Sequence, residues 1–266
     1  MNDAAIGIFD SGMGGLTVLR ALMARLPNER FIYLGDTARL PYGTKSPETI
    51  IRYSVQAAGA LVRRRIKLLV IACNTASSVA IPCLRDAFAP LPVIDVITPG
   101  AEAAVATSPK GPIAVIATEA TVNGRAYVRA IHAHAANVDV IQQACPLFVP
   151  LAEEGLVEGP IPELVAHRYL DPLMAQKPHA LVLGCTHYPA LKNTIEKVAG
   201  PDVTLVDSAA TTALFVEKML RETGMMHGGE PSCNFLVTDL AERFSRVGEI
   251  FLGRPITMNL IEPIDL

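Results

Sequence analysis

One short pattern occurs twice in this chain of 266 residues, once in each half. Residues 68–75 read Leu-Leu-Val-Ile-Ala-Cys-Asn-Thr, and residues 180–187 read Ala-Leu-Val-Leu-Gly-Cys-Thr-His. Each is an aliphatic run followed by a small residue, a cysteine and two polar side chains, which is typical of a buried parallel strand and its exit turn. We therefore expect Cys73 and Cys185 at the carboxyl ends of strands, where open α/β sheets bind their ligands.

The repeat extends beyond these two segments. A shift of 112 residues carries Cys73 onto Cys185, and a shift of 107 carries Ile6 onto Ile113. Stretches with helical spacing of apolar residues, such as 16–23 and 48–64, separate the repeated segments. Strands that alternate with helices indicate βαβ units, parallel pairing and right-handed crossovers. The corresponding strand-like segments are 6–11 with 113–118, 31–34 with 138–141, 68–75 with 180–187, and 92–95 with 204–207.

The sequence therefore predicts an α/β fold with two matched halves and a tail. The turn-forming stretch Thr98-Pro99-Gly100 is the expected boundary between the halves. After Asp207 we predict a helix over 211–222, a strand over 235–238 and a final helix that ends at Leu252. This tail has no counterpart in the repeat, so the sequence leaves open which half it packs on.

Composition argues against several classes of function. Half of the residues are hydrophobic, 18% are charged and the net charge is −3, which gives no sign of a nucleic-acid partner. No apolar run approaches the roughly eighteen residues of a membrane span, so we expect no membrane association. The five cysteines have no CxxC spacing and are typical of reduced, cytoplasmic thiols. No spacing of His, Cys and carboxylate residues fits a zinc site, and we expect neither a metal nor another cofactor.

Cys73 and Cys185 differ from the other three cysteines. We interpret Cys83, Cys145 and Cys233 as small core residues. Polar residues flank Cys73 and Cys185 instead, and residues 74–78 look like a helix start, where the pKa of a thiol falls below its usual value of about 8.5. A symmetric pair of this kind favours a functional interpretation.

Two thiols on opposite walls of a cleft could act on opposite faces of one carbon atom. One thiolate removes a proton while the other thiol delivers one, which inverts the stereocentre. Asp10 near Cys73, and His187 or Glu153 near Cys185, could exchange protons with the thiols or orient an ammonium group. The side chains that could hold the carboxylates of a small anionic substrate are Ser11, Asn74, Thr75 and Thr186.

Two loops that follow predicted strands add weaker signals. Residues 10–15 bring glycines and backbone amides to a helix start and favour a small anion, although an Asp or Ser N-cap explains them equally well. They lack the third glycine of a dinucleotide fingerprint and the Gly-Lys-Ser/Thr of a P-loop. Residues 35–43 end in Pro-Tyr-Gly, which is either a surface turn or a pair of amides for a carboxylate.

At these segments the sequence closely resembles the glutamate racemases, cofactor-independent bacterial isomerases of the Asp/Glu racemase superfamily. The resemblance covers nearly the whole chain and rests on residues 10–15, 35–43, 72–76, 145–151, 184–189 and 251–253. It implies interconversion of L- and D-glutamate, which supplies D-glutamate for peptidoglycan. It also implies a homodimer of chains with two pseudo-symmetric, flavodoxin-like domains that face each other across the active site. The expected domains are residues 1–97 plus 207–266, and residues 98–206.

The resemblance further implies roles for individual residues. Cys73 would be the base for D-glutamate and Cys185 the base for L-glutamate, with Glu153 as a helper. One segment departs from the family, because Ala117 replaces a usual glycine and Asn123-Gly124 replaces a usual Lys/Arg-Ser. The residues expected around the substrate are Asp10, Ser11, Tyr42, Gly43, Asn74, Thr75, Thr118, Thr121, Thr186 and His187.

The residues themselves leave other functions open. A racemase for aspartate or another small dicarboxylate would differ only in pocket size. A hydrolase could use Cys185 as nucleophile and His187 as base, but it would leave Cys73 unexplained. A redox pair would form a disulfide between Cys73 and Cys185, and a binding module would do no chemistry on its ligand.

Overall fold

A computed structural model describes residues 3–266 of the chain, which contain ten strands and twelve α-helices. Strands and helices alternate along most of the chain, as the apolar spacing predicts. In chain order the strands are β1 (Ile6–Asp10), β2 (Arg30–Gly35), β3 (Leu68–Ile71), β4 (Val93–Asp95), β5 (Ile113–Ala117), β6 (Val140–Ala144), β7 (Ala180–Gly184), β8 (Thr204–Asp207), β9 (Ser232–Val237) and β10 (Ile261–Pro263).

The helices between these strands include the two predicted near the amino terminus. In chain order they are α1 (Leu16–Arg25), α2 (Pro47–Val62), α3 (Asn74–Val79), α4 (Ile81–Phe88), α5 (Ile97–Thr107), α6 (Glu119–Asn123), α7 (Ala126–His134), α8 (Phe148–Glu153), α9 (Pro160–Met174), α10 (Lys192–Ala199), α11 (Ser208–Glu222) and α12 (Ala241–Leu252). Within residues 3–266, no helix combines the length and the apolar character needed to span a bilayer.

The strands form two sheets in which every neighbouring pair is parallel. The first sheet has six strands in the order β10-β9-β2-β1-β3-β4, and the second has four in the order β6-β5-β7-β8. The order β2-β1-β3-β4 in the first sheet therefore recurs as β6-β5-β7-β8 in the second. This is the doubly wound, flavodoxin-like order, and it confirms the predicted fold class.

Strand pairing tests the internal repeat residue by residue. Leu68 and Ala180 lie opposite Ile6 and Ile113, respectively, as the two shifts predict. The predicted match for the second strand is wrong by two residues. Phe31 lies opposite Ile6, whereas the residue opposite Ile113 is Val140 rather than Val138. The loop before β6 is longer than the one before β2, and an apolar pattern of period two tolerates a slip of two residues.

One apolar core lies between the two sheets. Side chains alternate across a strand, so Leu68 and Val70 of β3 point into the same cluster as Leu181 and Leu183 of β7. The alternate residues of these strands, such as Leu69 and Val182, belong to separate clusters on the outer faces. Both faces of each sheet are therefore buried, which explains why the central strands are continuous aliphatic runs.

The two repeated aspartates start helices. Asp95 Oδ1 accepts hydrogen bonds from the amides of Ile97 and Thr98 at the start of α5. Asp207 Oδ1 accepts one from the amide of Ala209 at the start of α11. Capping of this kind satisfies amide groups that the helix itself leaves unpaired. The match between Asp95 and Asp207 therefore reflects a structural role at the same point of each half.

The predicted turn at Thr98-Pro99-Gly100 is wrong. These residues form the first turn of α5, which runs from Ile97 to Thr107. Proline is compatible with a first helical turn because the amides there have no partner within the helix. The link between the halves is thus a helix that begins directly after β4.

The tail packs mainly on the first half. β9 pairs with β2 and β10 pairs with β9, so both strands extend the six-stranded sheet. Helix α12, between them, contacts α1 of the first half and also α8 of the second. The tail therefore extends the first sheet and also contacts helix α8 of the second half.

Candidate active site

A cavity of about 200 Å³ lies between the carboxyl ends of strands from both sheets. Cys73 follows β3 and Cys185 follows β7, the corresponding strands of the two halves, and both residues line this cavity. Each is only 5% exposed. The arrangement places one thiol on each side of a small, shielded space. The other predicted residues on the cavity wall are Ser11, Tyr42, Gly43, Asn74, Thr75, Thr118, Glu153, Thr186 and His187.

Cys73 is the N-cap of the short helix α3. Its sulfur accepts a hydrogen bond from the Ala76 amide and donates one to Ser11 Oγ, both at 3.4 Å. Burial raises the pKa of the Cys73 thiol to about 12, and the nearby Asp10 adds to this effect. The helix start predicted after Cys73 is present, but desolvation outweighs the two hydrogen bonds that lower the pKa. The protonated thiol is therefore the favoured form of Cys73.

Cys185 contacts a histidine instead. Its sulfur lies 3.8 Å from His187 Nδ1, and His187 Nε2 lies 3.1 Å from Glu153 Oε1. Burial alone would lower the pKa of His187, but hydrogen bonds to Cys185 and Glu153 outweigh it and raise the pKa to about 10. The raised pKa of His187 favours its imidazolium form at neutral pH. The two thiols thus have opposite electrostatic surroundings.

The segment after Cys185 differs from the segment after Cys73, which begins α3 directly. Tyr188–Leu191 form a 3₁₀ turn, and α10 begins only at Lys192. His187 therefore precedes this turn, and Gly14 lies close against its ring. The Asp10–Gly15 loop also differs from the simple capping interpretation, since α1 begins at Leu16 without a side-chain cap.

Several neutral donors line the cavity near Cys73. Asn74 Oδ1 accepts a hydrogen bond from the Tyr127 hydroxyl at 2.7 Å, which orients the amide. Asn74 Nδ2 is buried and has no hydrogen-bond partner within residues 3–266. A buried N–H donor of this kind indicates a binding position for a ligand acceptor atom, because an unpaired buried donor costs free energy. Thr75 and Thr118 share a hydrogen bond at 2.9 Å beside it.

Two of the predicted site residues lie behind the cavity wall. Thr121 is fully buried and bonds to the hydroxyl of Thr118 at 3.0 Å, so it supports a lining residue. Asp10 is also fully buried, and its Oδ2 accepts a hydrogen bond from the Gly12 amide. Burial raises the pKa of Asp10, although the charge of His187 opposes the shift. Burial therefore disfavours the state in which Asp10 and Cys73 are both ionised.

The turn that contains Tyr42 and Gly43 forms part of the cavity wall. They begin a 3₁₀ turn over Tyr42–Thr44, and the Tyr42 hydroxyl points away to donate to the buried carboxylate of Asp36. Asp36 also accepts from Arg39 at 2.7 Å, which holds the whole loop in place. The Cβ that a larger residue would add at Gly43 would lie 3.1 Å from the Thr118 side chain. The close approach of this turn to the second half explains the glycine.

The other three cysteines, and the residues that depart from the family pattern, do not line the cavity. Cys145 is fully buried, and Cys233 is partly buried. The prediction for Cys83 is wrong, because it is exposed on α4. Ala117 is the buried last residue of β5, whereas Asn123 ends α6 away from the cavity lining.

Sequence reasoning missed two residues that α12 contributes. Arg243 Nη2 donates to Glu153 Oε2 at 2.8 Å. The Phe251 ring meets the His187 ring edge-on, with centroids 5.0 Å apart. Arg243 has no local motif, and only its position eight residues before Phe251 on an amphipathic helix could have indicated that both reach the same site.

The raised pKa of His187 predicts a pH-dependent stability. An unfolded histidine has a pKa of about 6.5, so the folded state binds the proton more tightly. The stabilising contribution is complete below about pH 6.5 and is lost as the pH rises through about 10. We expect the free energy of unfolding, measured in urea, to fall more steeply between pH 7 and 10 in the unmodified protein than in His187→Gln.

The control for this measurement is His134→Gln, because His134 is exposed at the end of α7. Its pH profile should follow that of the unmodified protein. Parallel profiles for His187→Gln and the unmodified protein would show that His187 carries no proton in the folded state at these pH values.

Comparison with known proteins relates the whole chain to one group of enzymes. The chain is 50% identical to glutamate racemase of Geobacter metallireducens over 94% of this chain and 93% of that protein. It is 49% identical to glutamate racemase of Neisseria meningitidis over 98% and 96% of the two chains. The fold superimposes on glutamate racemase of Francisella tularensis in complex with D-glutamate with a TM-score of 0.93, 41% identity and coverage of 100% and 98%.

A family model gives the same relationship. The model described as Asp/Glu/Hydantoin racemase matches residues 16–216, a range that includes both Cys73 and Cys185. The matched range holds most of the first repeat and all of the second, with the thiols at equivalent strand ends. The chain therefore belongs to the Asp/Glu/Hydantoin racemase family.

Proposed function

We propose that this protein is a glutamate racemase, an isomerase that interconverts L- and D-glutamate without a cofactor. The observation that carries the proposal is the shared cavity, which Cys73 lines from one sheet and Cys185 from the other. A racemase must remove a proton from one face of Cα and return one to the other face. Two acid–base groups on facing walls do this without any movement of the substrate.

The reaction from L-glutamate begins with Cys185 as a thiolate and Cys73 as a thiol. The Cα–H bond breaks and its proton forms an S–H bond on Cys185. The carbanion then takes the proton of the Cys73 S–H bond on its opposite face, which leaves Cys73 as a thiolate. D-glutamate reacts by the reverse steps, so that Cys73 is its base.

The charged and titratable groups around the two sulfurs support this starting state. The raised pKa of His187 favours an imidazolium beside the Cys185 sulfur, and burial favours the protonated form of Cys73. Glu153 stabilises the imidazolium through its 3.1 Å contact. Asp10, whose pKa is raised by burial, is placed to assist the proton exchange of Cys73.

Neutral groups hold the substrate carboxylates in this proposal. No lysine or arginine lines the cavity among the residues that the structure describes. The carboxylates would therefore bind to the unpaired amide of Asn74, to backbone amides near Gly43, and to hydroxyl groups. The hydroxyl groups assigned to this role belong to Ser11, Thr75, Thr118 and Thr186, with Thr121 behind them.

Glutamate is favoured over aspartate by the relatives, since those near 50% identity are glutamate racemases. The cavity of about 200 Å³ is smaller than the roughly 300–1,000 Å³ of typical ligand pockets, which suits an amino acid. The contact of His187 with both Cys185 and Glu153 also serves a hydrolase, but a hydrolase gives no role to Cys73.

The resemblance supports three further parts of the proposal. We assign one domain to residues 1–97 plus 207–266 and the other to residues 98–206, because the strands of the two sheets fall in these ranges apart from Asp207, the last residue of β8. We also propose that the protein acts in the cytoplasm, where it supplies D-glutamate for peptidoglycan, and that it is a homodimer. Sedimentation equilibrium at the mass of a single chain would contradict the dimer.

The deciding experiment is incubation of L-glutamate with the purified protein in deuterium oxide, with no cofactor added. We expect D-glutamate that carries deuterium at Cα, because its proton comes from Cys73, which exchanges with solvent. L-Glutamate recovered early should carry little deuterium, since Cys185 returns mainly the proton that it removed. Mass spectrometry after chiral separation measures both.

Each alternative predicts a different product in the same experiment. Extensive labelling of L-glutamate before any D-glutamate forms would indicate a single exchanging base and contradict the two-thiol mechanism. Turnover of aspartate with no turnover of glutamate would change the substrate. No turnover of either amino acid would leave the protein as a binding module and reject the proposal.

A further inference from the structure

We propose that Arg243, from the carboxyl-terminal tail, is a positioning residue for the Cys185 side of the active site. It acts through Glu153, which in turn holds His187 beside Cys185. The inference rests on the proposed function and extends it, because it assigns a part of the catalytic arrangement to a segment outside the internal repeat.

The contacts form an unbroken chain from the tail to the thiol. Arg243 Nη2 lies 2.8 Å from Glu153 Oε2, and the other oxygen of Glu153 lies 3.1 Å from His187 Nε2. His187 Nδ1 then lies 3.8 Å from the sulfur of Cys185. Each oxygen of Glu153 has its own partner, so the carboxylate cannot rotate without losing one of them.

This ion pair differs from an ordinary surface pair. The side chain of Glu153 is only 14% exposed and that of Arg243 34%, so solvent screens the interaction only in part. Burial would raise the pKa of Glu153, but His187 and Arg243 outweigh it and lower the pKa. Arg243 therefore helps to keep Glu153 ionised, which is the form that pairs with an imidazolium.

A second contact from the same helix supports this role. Phe251 packs edge-on against the His187 ring at a centroid distance of 5.0 Å. Helix α12 thus restrains both members of the pair, Glu153 through charge and His187 through ring packing. This restraint connects the two halves. Along the chain, α12 lies between β9 and β10 of the six-stranded sheet, whereas Glu153 is the last residue of α8 in the second half.

The restraint applies to one thiol only. Cys73 hydrogen-bonds to Ser11 and Ala76, and within residues 3–266 neither of these is hydrogen-bonded to α12. Loss of Arg243 should therefore slow proton transfer at Cys185 while proton transfer at Cys73 keeps its rate. An effect on one of two proton transfers is a signature that general loosening of the fold would not produce.

The test measures deuterium isotope effects in both directions for Arg243→Met, with Arg246→Met as the matched control. Arg246 is exposed on the same helix. We expect kcat/KM of Arg243→Met to fall about tenfold, as for the loss of a charge-assisted hydrogen bond. The fall must be equal in both directions, because the two enantiomers have equal free energy.

The isotope effects should change unequally. For L-glutamate deuterated at Cα, Cys185 removes the deuteron, so the isotope effect on kcat/KM should rise in Arg243→Met. For deuterated D-glutamate, Cys73 removes the deuteron in a step that no longer limits the rate, so the isotope effect should fall towards one. Arg243→Lys should give intermediate values, because a lysine keeps the charge but loses the planar geometry.

The outcomes separate this inference from the proposed function. An unmodified protein without racemase activity rejects the proposed function itself. An active unmodified protein whose isotope effects change alike for both enantiomers in Arg243→Met, or change equally in Arg246→Met, overturns only the role of Arg243. If Arg243→Met fails to fold, Arg243→Lys must still show the unequal shift for the inference to stand.

Discussion

Replacement of either Cys73 or Cys185 by serine is expected to reduce racemisation at least about 10³-fold while the fold stays intact. A positioned acid or base contributes roughly 10²–10⁴-fold, and a serine hydroxyl is far too weak an acid to replace a thiol in a neutral pocket. In the proposed mechanism both thiols are needed in each turnover, because one removes the proton and the other returns one. Chiral chromatography of glutamate, with circular dichroism as a check on folding, measures the effect.

The two variants should also differ in the exchange that they retain. In Cys73→Ser, Cys185 can still remove the proton of L-glutamate and, after its S–H proton slowly exchanges with deuterium oxide, return a deuteron to the same face. In Cys185→Ser, only D-glutamate should exchange in this way. Exchange without inversion, each on one enantiomer, would identify which thiol faces which side of the substrate.

The control is Cys83→Ser, since Cys83 is an exposed thiol in the first turn of α4 and does not line the cavity. Its activity should equal that of the unmodified protein. Full racemase activity in either Cys73→Ser or Cys185→Ser would reject the two-thiol mechanism.

Substitution of Gly14 by alanine is expected to lower kcat/KM about 100-fold. An added Cβ would lie 2.4 Å from His187 Nδ1 and 2.5 Å from Thr186 Oγ1, so one of them must move. His187 is held between Phe251, Glu153 and Cys185 and has little room to retreat. A displacement of about 1 Å in a catalytic group costs on this order in rate.

Gly228→Ala is the control for this substitution, because an added Cβ there meets no atom within 4 Å. It should leave both activity and thermal stability unchanged. The activity of Gly14→Ala is measured together with its thermal midpoint, so that a loss of folded protein is recognised. An active Gly14→Ala would show that His187 tolerates displacement and does not orient Cys185.

Local sequence patterns predicted most of the fold because parallel βαβ units are encoded locally. The aliphatic runs at β3 and β7, and the helical spacing before Pro27 and after Pro47, arise from burial on both faces of a strand or one face of a helix. The predicted alignment of individual residues between the two halves was less accurate than the predicted order of the strands and helices. The slip of Phe31 against Val138 arose because a period-two pattern repeats itself after two residues.

The exposed Cys83 and the helical Thr98-Pro99-Gly100 show the limit of residue preferences. A cysteine is usually buried and a Pro-Gly pair usually forms a turn. In this chain, α4 places Cys83 on its solvent side, and the cap from Asp95 carries the chain directly into a helix that tolerates proline in its first turn. Such outcomes depend on the packing of neighbouring elements.

The sequence by itself determined that this chain has two matched α/β halves, each with a thiol at a strand end. Only the tertiary structure decided that Cys73 and Cys185 share one cavity, that burial raises the pKa of Cys73, and that Arg243 reaches Glu153. The physical reason is the separation along the chain of the residues that determine each property. Strands and helices follow from neighbours a few residues apart, whereas a pKa or an ion pair depends on groups that only the folded chain brings together.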